Sequence, residues 1–377
     1  MQVFFDEQIF HKQVRGGISR YICNLALALA KTDAIKVVIF GGWCKNAFLE
    51  ELPQHPNLQL VYKKRSDNLK INRFVRGISR YWRRQVFRRV ILQDPETIYH
   101  PTYFEIDDLI HKKAKATVAT FYDMIAERFP KDRQKRHRLL KKSAAEKADR
   151  IIAISKSTRQ DLIQFCPFTK KKIGVVYLGS SLGSQKVYPA SDNPFIEKKY
   201  FLMIGERKGY KNGLAVLRAF ALLARDHTDL HLVLCGGRRA PSIEEQEILR
   251  QNALKDRVYY LQANDKMLAS LLRHAVALVY PSSYEGFGLP VLEAMQQGCP
   301  AITTRLSSLP EVAGDAGIYI NPDSPEEIAR SMKRLLTQDQ ERQTFIEKGY
   351  QQVNRFSITQ MAEETLAIYR ELLKGYH

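Results

Sequence analysis

PSSYEGFGLPVLEAMQQGCPAI, residues 281–302, follows the apolar run Ala275–Tyr280 and carries the chain through a turn into a helix. The run before it has the length and character of a parallel strand buried on both faces. Pro290 suits a first helical turn, where its missing N–H costs nothing. Gly286 and Gly288 let the backbone approach a ligand closely, and the free N–H groups at the start of the helix favour an anion. Glu285 and Glu293, eight residues apart, bracket that turn. A carboxylate repels a phosphate, but it accepts hydrogen bonds from paired sugar hydroxyls. The arrangement describes a site for a phosphate with a sugar on either side. A plainer reading is a glycine-rich strand–helix turn with Glu293 as an ordinary early-helix acid. The motif alone does not separate the two.

Outward from this unit, similar apolar runs recur along the chain. In the first half they are Val3–Phe5, Val37–Phe40, Leu58–Tyr62, Ile98–Tyr99, Val118–Tyr122, Ile151–Ile154 and Val175–Leu178. In the second they are Tyr200–Ile204, Leu230–Cys235, Val258–Leu261, Ala275–Tyr280, Ala301–Thr303 and Ile318–Ile320. The intervals are long enough for crossover helices. Two such series in tandem predict an α/β protein of two doubly wound, Rossmann-like domains, which 377 residues accommodate. The expected boundaries are 1–180 for the first domain, 181–198 for a linker and 199–356 for the second domain. The stretch 179–193, with its Gly, Ser, Pro and Asn, reads as the break. Residues 357–377 read as a helix that packs back toward the first domain. It would be capped by Ser357 with Gln360, with Met361, Ile368 and Leu372 on one face. Open parallel sheets bind ligands at the carboxyl ends of their strands, so two facing domains would enclose a central cleft.

The composition is 45% hydrophobic and 26% charged, which excludes a disordered, collagen-like or disulfide-scaffold chain. No apolar run approaches the ~18 residues a spanning helix needs. The opening, MQVFFDEQIF, has no basic leader, so no secretory signal is expected. Cys23, Cys44, Cys166, Cys235 and Cys299 are odd in number and scattered, with no CxxC. They predict reduced thiols in a cytoplasmic protein. The net charge of +19 is uneven. Residues 1–180 hold 35 Lys and Arg against 17 Asp and Glu, whereas residues 181–377 hold 24 against 23. A strongly basic half seeks a polyanion: nucleic acid, anionic lipid or a phosphorylated substrate.

In the nearly neutral second half, the element IGERKGYKNG (204–213) sets cations just after a strand. Arg207, Lys208 and Lys211 follow a strand and precede a helix. A departing diphosphate would account for them, because cations neutralise the charge that develops as its bond breaks. The plainer reading is a solvated basic loop.

These segments together resemble the retaining glycosyltransferases of family 4. Glu285 and Glu293 form that family's E-x7-E pattern, and YEGFGLPVLEAM, GCPAITT and LPEVAGDAG (309–317) resemble its donor-binding segment. QVRGGISRY (13–21), ADRIIAISKSTRQDL (148–162) and IGERKGYKNG extend the resemblance over the whole chain, toward members from bacterial surface-polysaccharide pathways. The resemblance implies a GT-B fold and hexose transfer from a nucleoside-diphosphate sugar. The acceptor would be a glycan or lipid-linked molecule in surface-polysaccharide synthesis, with mannose from a guanosine diphosphate donor as a plausible guess. It implies that Arg207 and Lys211 bind the phosphates and that Glu285 holds hydroxyls of the donor sugar. Glu293 would bind the ribose, the amides of Gly286, Phe287, Gly288 and Leu289 would contact sugar and phosphate, and the base would pack near Leu261–Asn264. It also places the loop at Gly16 and Gly17 against the donor; without it, paired glycines before a helix read as a simple turn.

Family members often carry His–Asp where this chain has Tyr122–Asp123. A tyrosine hydroxyl still hydrogen-bonds but is a poorer proton carrier near neutral pH, so a histidine role does not transfer. Asp123 is the candidate for orienting the acceptor hydroxyl or taking its proton; the plainer reading is a loop-capping acid. His100 also follows a strand and is a secondary candidate for acceptor or sugar contact. No Asp-x-Asp triplet and no His/Cys ligand cluster is present, so neither a metal nor another cofactor is expected.

Residues 63–90 hold eleven basic residues and one acid, Asp67, with Phe74, Val75, Ile78, Tyr81 and Trp82 interleaved at near-helical spacing. A second run, KDRQKRHRLLKK (131–142), adds seven more. This is the pattern of an amphipathic helix on an anionic membrane surface, here the inner face of the plasma membrane. The alternative is a solvated helix face with its aromatics in the core. Two other functions stay open at this level. One is an epimerase or phosphorylase of the same fold. The other is a basic nucleic-acid-binding protein, although no nucleic-acid module is recognisable and no nucleic acid is expected as partner.

Overall fold

In a computed structural model, the chain is described throughout except at residues 33–34, 66–72, 132–133, 181, 183–192 and 375–377, and except for the side chains of 73–76. Most of the stretch read as a linker, and part of the basic segment 63–90, therefore lie outside the described residues. So do Asp132 and Arg133 of the second basic run.

Two parallel sheets organise the molecule. The first has seven strands: β1 (Gln2–Phe5), β2 (Lys36–Cys44), β3 (Leu58–Lys64), β4 (Thr97–His100), β5 (Ala116–Phe121), β6 (Arg150–Ala153) and β7 (Ile173–Val175), in the order β3-β2-β1-β4-β5-β6-β7. The second has six: β8 (Lys199–Ile204), β9 (Leu230–Cys235), β10 (Val258–Leu261), β11 (Ala277–Val279), β12 (Ala301–Thr303) and β13 (Gly317–Tyr319), in the order β10-β9-β8-β11-β12-β13. Both are doubly wound, Rossmann-like sheets, each with its strand order reversing once, at β1/β4 and at β8/β11. Those reversals are where strand-end loops diverge and leave a crevice.

The sequence runs explain the strands. Every residue of β1 and β5 is buried, as expected of strands covered by helices on both faces. Val3 stands between Val37 and Ile98 in register, and Leu278 beside Leu202 and Ala301. All thirteen apolar runs lie at strands. The widest offset is at β7, which begins before Val175; it is a half-buried edge strand, while the buried Val176 and Leu178 follow it. An edge strand covered on fewer sides does not need a continuous apolar run.

The chain divides into two units, residues 1–179 with 356–377, and residues 180–355. The helix Ile358–Lys374 belongs to the first. Its start is capped by Ser357, whose hydroxyl oxygen accepts from the Gln360 N–H at 2.9 Å. It buries Met361, Leu366, Tyr369 and Leu372. Gly179 lies so close to this segment that a Cβ there would fall 2.4 Å from the Ile358 nitrogen. All five cysteines are buried and unpaired.

Candidate functional site

At the β8/β11 crevice, two strand-end loops are tied to one another. After β8 the chain turns at Gly205, makes a short turn at Gly209–Lys211, and enters the helix Gly213–Ala224 through Asn212, which takes a left-handed conformation. Asn212 tolerates that conformation and uses its amide to donate to the Pro281 carbonyl (2.9 Å) and the Ser283 hydroxyl (2.8 Å). The Ser283 N–H donates to the Tyr210 carbonyl at 2.7 Å. Both loops are therefore held in fixed relation before any ligand arrives.

The second loop is fixed from its other side. The Glu285 N–H donates to Ser307 Oγ at 2.8 Å, and the Ser308 hydroxyl bridges the carbonyls of Glu285 (2.9 Å) and Phe287 (2.8 Å). Gly288 opens the helix Leu289–Gln296 at φ +110°, with Pro290 in its first turn, as the sequence predicts. Only glycine takes that conformation without strain. The Phe287 ring is buried, and Gly286 and Gly288, which carry no side chain, flank it at the head of this helix.

Three side chains converge here. Lys211 Nζ is ion-paired with Glu285 and donates to the Tyr280 hydroxyl at 2.9 Å. The Lys211 ammonium also lies over the rings of Tyr280 and Tyr210, 5.1 and 5.4 Å from their centroids. Burial pushes the Tyr280 phenol well above its usual pKa, and the negative charges of Glu285 and Glu293 push it the same way. Tyr280 therefore stays a neutral hydrogen-bonding group. Glu293 is buried within the helix Leu289–Gln296. The crevice thus combines a cation, a carboxylate and a phenol beside a helix amino terminus, a set able to hold both a phosphate and sugar hydroxyls.

Arg207 sits on the same loop but is turned elsewhere. It is 6% exposed, and its Nε donates to Glu245 Oε1 at 2.7 Å, while its Nη atoms reach the carbonyls of Gly236 and Ala240 at 3.3 Å. The Tyr260 ring stacks 4.7 Å away. Glu245 is the N3 residue of a capping box with Ser242. Ser242 and Glu245 show that spacing in the sequence, but nothing there ties Glu245 to Arg207.

The remaining predicted residues belong to the first unit. Asp123 follows β5. Its Oδ1 accepts from the Ile125 N–H (3.0 Å) and from Lys141 Nζ (3.0 Å). Lys141, which the sequence places in a basic run, is 1% exposed and also donates to the Asp123 carbonyl and to Glu127. The Tyr122 hydroxyl donates to the Thr102 carbonyl at 3.2 Å. His100 is wholly enclosed, with Nδ1 2.6 Å from the Tyr369 hydroxyl and Nε2 2.8 Å from Thr120 Oγ1. Burial pushes its pKa down to about 3, so it is neutral at physiological pH. Gly16 and Gly17 begin the helix Gly17–Ala30, where the Gln13 side chain already accepts from the Ser19 N–H at 3.0 Å.

The basic helix Arg73–Gln93 divides its charges. Arg83 is buried and bridges Glu7 and Asp107, and Arg84 joins it on Asp107. Arg88 and Arg89 are exposed, as are Ile78 and, at 66%, Tyr81. Trp82 packs against Phe40 and Trp43. Among the described residues no helix is long and apolar enough to cross a membrane.

Comparison with known proteins gives two family matches. Residues 15–182 match the family described as Glycosyltransferase Family 4, and residues 185–352 match Glycosyl transferases group 1. The chain is 30% identical to the O-antigen chain mannosyltransferase B of Escherichia coli, over 94% of this chain and 96% of that protein. It is 27% identical to the O-antigen chain mannosyltransferase RfbU of Salmonella typhimurium, over 52% of this chain and 54% of that one. Among solved structures, a glycosyltransferase from Rickettsia africae superposes with a TM-score of 0.70 at 19% identity, covering 99% of this chain and 98% of its own. Anabaena HepE in complex with UDP-glucose does so with a TM-score of 0.70 at 17% identity, covering all of both chains.

Proposed function

The chain belongs to the glycosyltransferases of group 1 and family 4, with the GT-B fold, and from that premise we propose that it moves a hexose, mannose by preference, from a nucleoside-diphosphate sugar to a glycan or lipid-linked acceptor in surface-polysaccharide synthesis. The observation that carries this reading is the pairing of Lys211 with Glu285, beside Tyr280, at the β8/β11 crevice. An ammonium there receives the departing diphosphate, and the amides of 286–289 add partial positive charge from the helix head. Glu285 accepts from hydroxyls of the donor sugar, and Glu293 from the ribose.

The arriving donor replaces an internal bond, because the Lys211 ammonium must turn from Glu285 toward phosphate. Arg207 acts on the phosphates only by sharing its guanidinium with Glu245. In the first unit, Asp123 orients the acceptor hydroxyl while Lys141 holds its carboxylate in place. Gly16 and Gly17 offer their backbone to a ligand at the start of the helix Gly17–Ala30. Tyr122 and His100 contribute through the backbone and side chains they brace. Charge neutralisation rests with Lys211 and the helix amides, so this reading assigns no role to a metal or another cofactor.

The mannose preference rests on the named relatives, two of which are O-antigen mannosyltransferases. The exposed arginines and Tyr81 of the basic helix support cytoplasmic activity with peripheral attachment to the inner face of an anionic membrane. The test is a thermal-shift screen of nucleoside diphosphates and nucleotide sugars, followed by transfer assays with a labelled donor. A guanosine diphosphate mannose shift that disappears in Lys211→Ala supports the reading. A shift retained in both Lys211→Ala and Glu285→Ala would move the donor away from this crevice.

A further inference from the structure

The first unit contains a cavity of about 470 Å³ that no residue of the proposed transfer chemistry occupies. It is lined from four directions: by residues after β1, by Arg65 after β3, by residues after β4, and by the helices Arg73–Gln93 and Lys135–Lys147. It therefore lies by the β1/β4 reversal, where a doubly wound sheet leaves its crevice. Its lining is basic, with Lys12, Arg65, Arg80, Arg83 and Arg136. Among the described residues, the two carboxylates that face it are already engaged, Glu7 with Arg83 and Glu105 with Arg80. The positive charge of Arg65 and Arg136 is not balanced by either of them.

The hydrogen-bond inventory of the cavity is lopsided in the same sense. Ser79 is 1% exposed, and its hydroxyl has no partner among the described residues. The Nε–H groups of Arg65 and Arg83 are buried and have none either. Buried donors without acceptors are costly, and a native structure ordinarily satisfies them. Space beside Ser79 is kept open by Gly42, at φ +60°, where a Cβ would lie 2.9 Å from the hydroxyl oxygen. A ligand rich in acceptor oxygens and carrying negative charge meets all of these conditions. Neutral sugar hydroxyls would satisfy the donors but leave the charge unanswered.

We propose that this cavity is a phosphate-binding subsite for the acceptor, engaging a phosphate or diphosphate ester through Arg65, Ser79 and Arg83, with Lys12 and Arg136 at its mouth. The inference deepens the reading that the first unit holds the acceptor and rests on it. The same chemistry is offered by free pyrophosphate and by an esterified diphosphate, and the experiment separates them.

Inorganic pyrophosphate and octyl diphosphate are titrated calorimetrically into full-length Lys211→Ala protein, in which the cation of the other candidate phosphate site is gone. Both are expected to bind. Adding Ser79→Ala, which deletes one oxygen and little else, should weaken them several-fold, and adding Arg65→Gln should bring the loss to at least tenfold. Binding of octyl diphosphate identifies an esterified group, and binding of pyrophosphate alone identifies the free ion. No binding of either, or binding that ignores both substitutions, overturns the site. In otherwise wild-type protein the same two substitutions should raise KM for a diphosphate-bearing acceptor and leave donor KM unchanged. If pyrophosphate affinity falls while acceptor KM holds, the anion site stands and the placement of the acceptor in this unit fails.

Discussion

The Lys211–Glu285 pair makes each member the counterion of the other. Removing either leaves a charge in a crevice with little solvent, so both variants affect more than the contact they delete. Glu285→Gln keeps the shape and the hydrogen-bonding oxygen but loses the charge. It should lower kcat by about 10²-fold or more, a loss of ~3 kcal/mol comparable to deleting one donor from a preorganised charge-stabilising site. Circular dichroism should show it folded; a rate within threefold of the parent would remove Glu285 from the chemistry. Arg207 behaves differently. Its pairing with Glu245 and its stacking on Tyr260 are enclosed, so Arg207→Ala should destabilise the second unit by about 3–5 kcal/mol. Glu245→Gln should reproduce much of that loss in thermal unfolding. If Arg207→Ala melts with the parent and still loses transfer, its direct role on phosphate is the stronger one. His100 offers a pH test. Its folded pKa, about 3, lies below the ordinary value of 6.5, so the unfolded chain binds the extra proton between those limits. Stability should therefore fall as pH drops from 6.5 toward 3, by up to ~1.4 kcal/mol per pH unit from this group. His100→Gln should flatten that limb in unfolding titrations, and an unchanged slope would mean the ring is not held neutral.

At the scale of elements, the strands were the most legible part of the sequence. A strand buried on both faces must be apolar along its length, and thirteen such runs mark the two sheets. The loop after β11 was legible for a related reason, since Gly288 and Pro290 are each tied to one backbone geometry. Partnerships across sequence were not. Lys141 reads as one more surface cation in KDRQKRHRLLKK, and only the fold brings Asp123 and Glu127 around it. Arg83 is similar, since Glu7 is 76 residues away and Asp107 is 24. The basic helix Arg73–Gln93 thus carries two populations of arginine with different tests. Replacing Arg88 and Arg89 by Gln should weaken binding to anionic liposomes without altering nucleoside-diphosphate affinity. Cosedimentation identical to the parent would show that the exposed face serves something other than lipid. Replacing Arg83 should instead lower the melting temperature, whatever the vesicles contain.

For the molecule as a whole, the unequal charge of the two halves acquires a structural sense. The nearly neutral half sets three of its cations, Arg207, Lys208 and Lys211, in one strand-end loop, while the basic half distributes its own between internal bridges, an exposed helix face and a cavity lining. The last helix belongs to the basic half's unit, with Tyr369 hydrogen-bonded to His100 and Phe356 against Tyr177. Deleting residues 356–377 should therefore unfold the first unit while the second still binds nucleoside diphosphate. Loss of both in calorimetry would show that the units do not fold independently.

That arrangement also sets an order of events during synthesis. The first unit's sheet emerges from the ribosome early, but one flank of it waits, uncovered, for a helix encoded beyond the entire second unit. A nascent chain halted after residue 355 would display the apolar surface that Met361, Leu366 and Tyr369 later cover, and that surface is what a chaperone recognises. The second unit has no such debt and is complete as soon as its own residues have appeared.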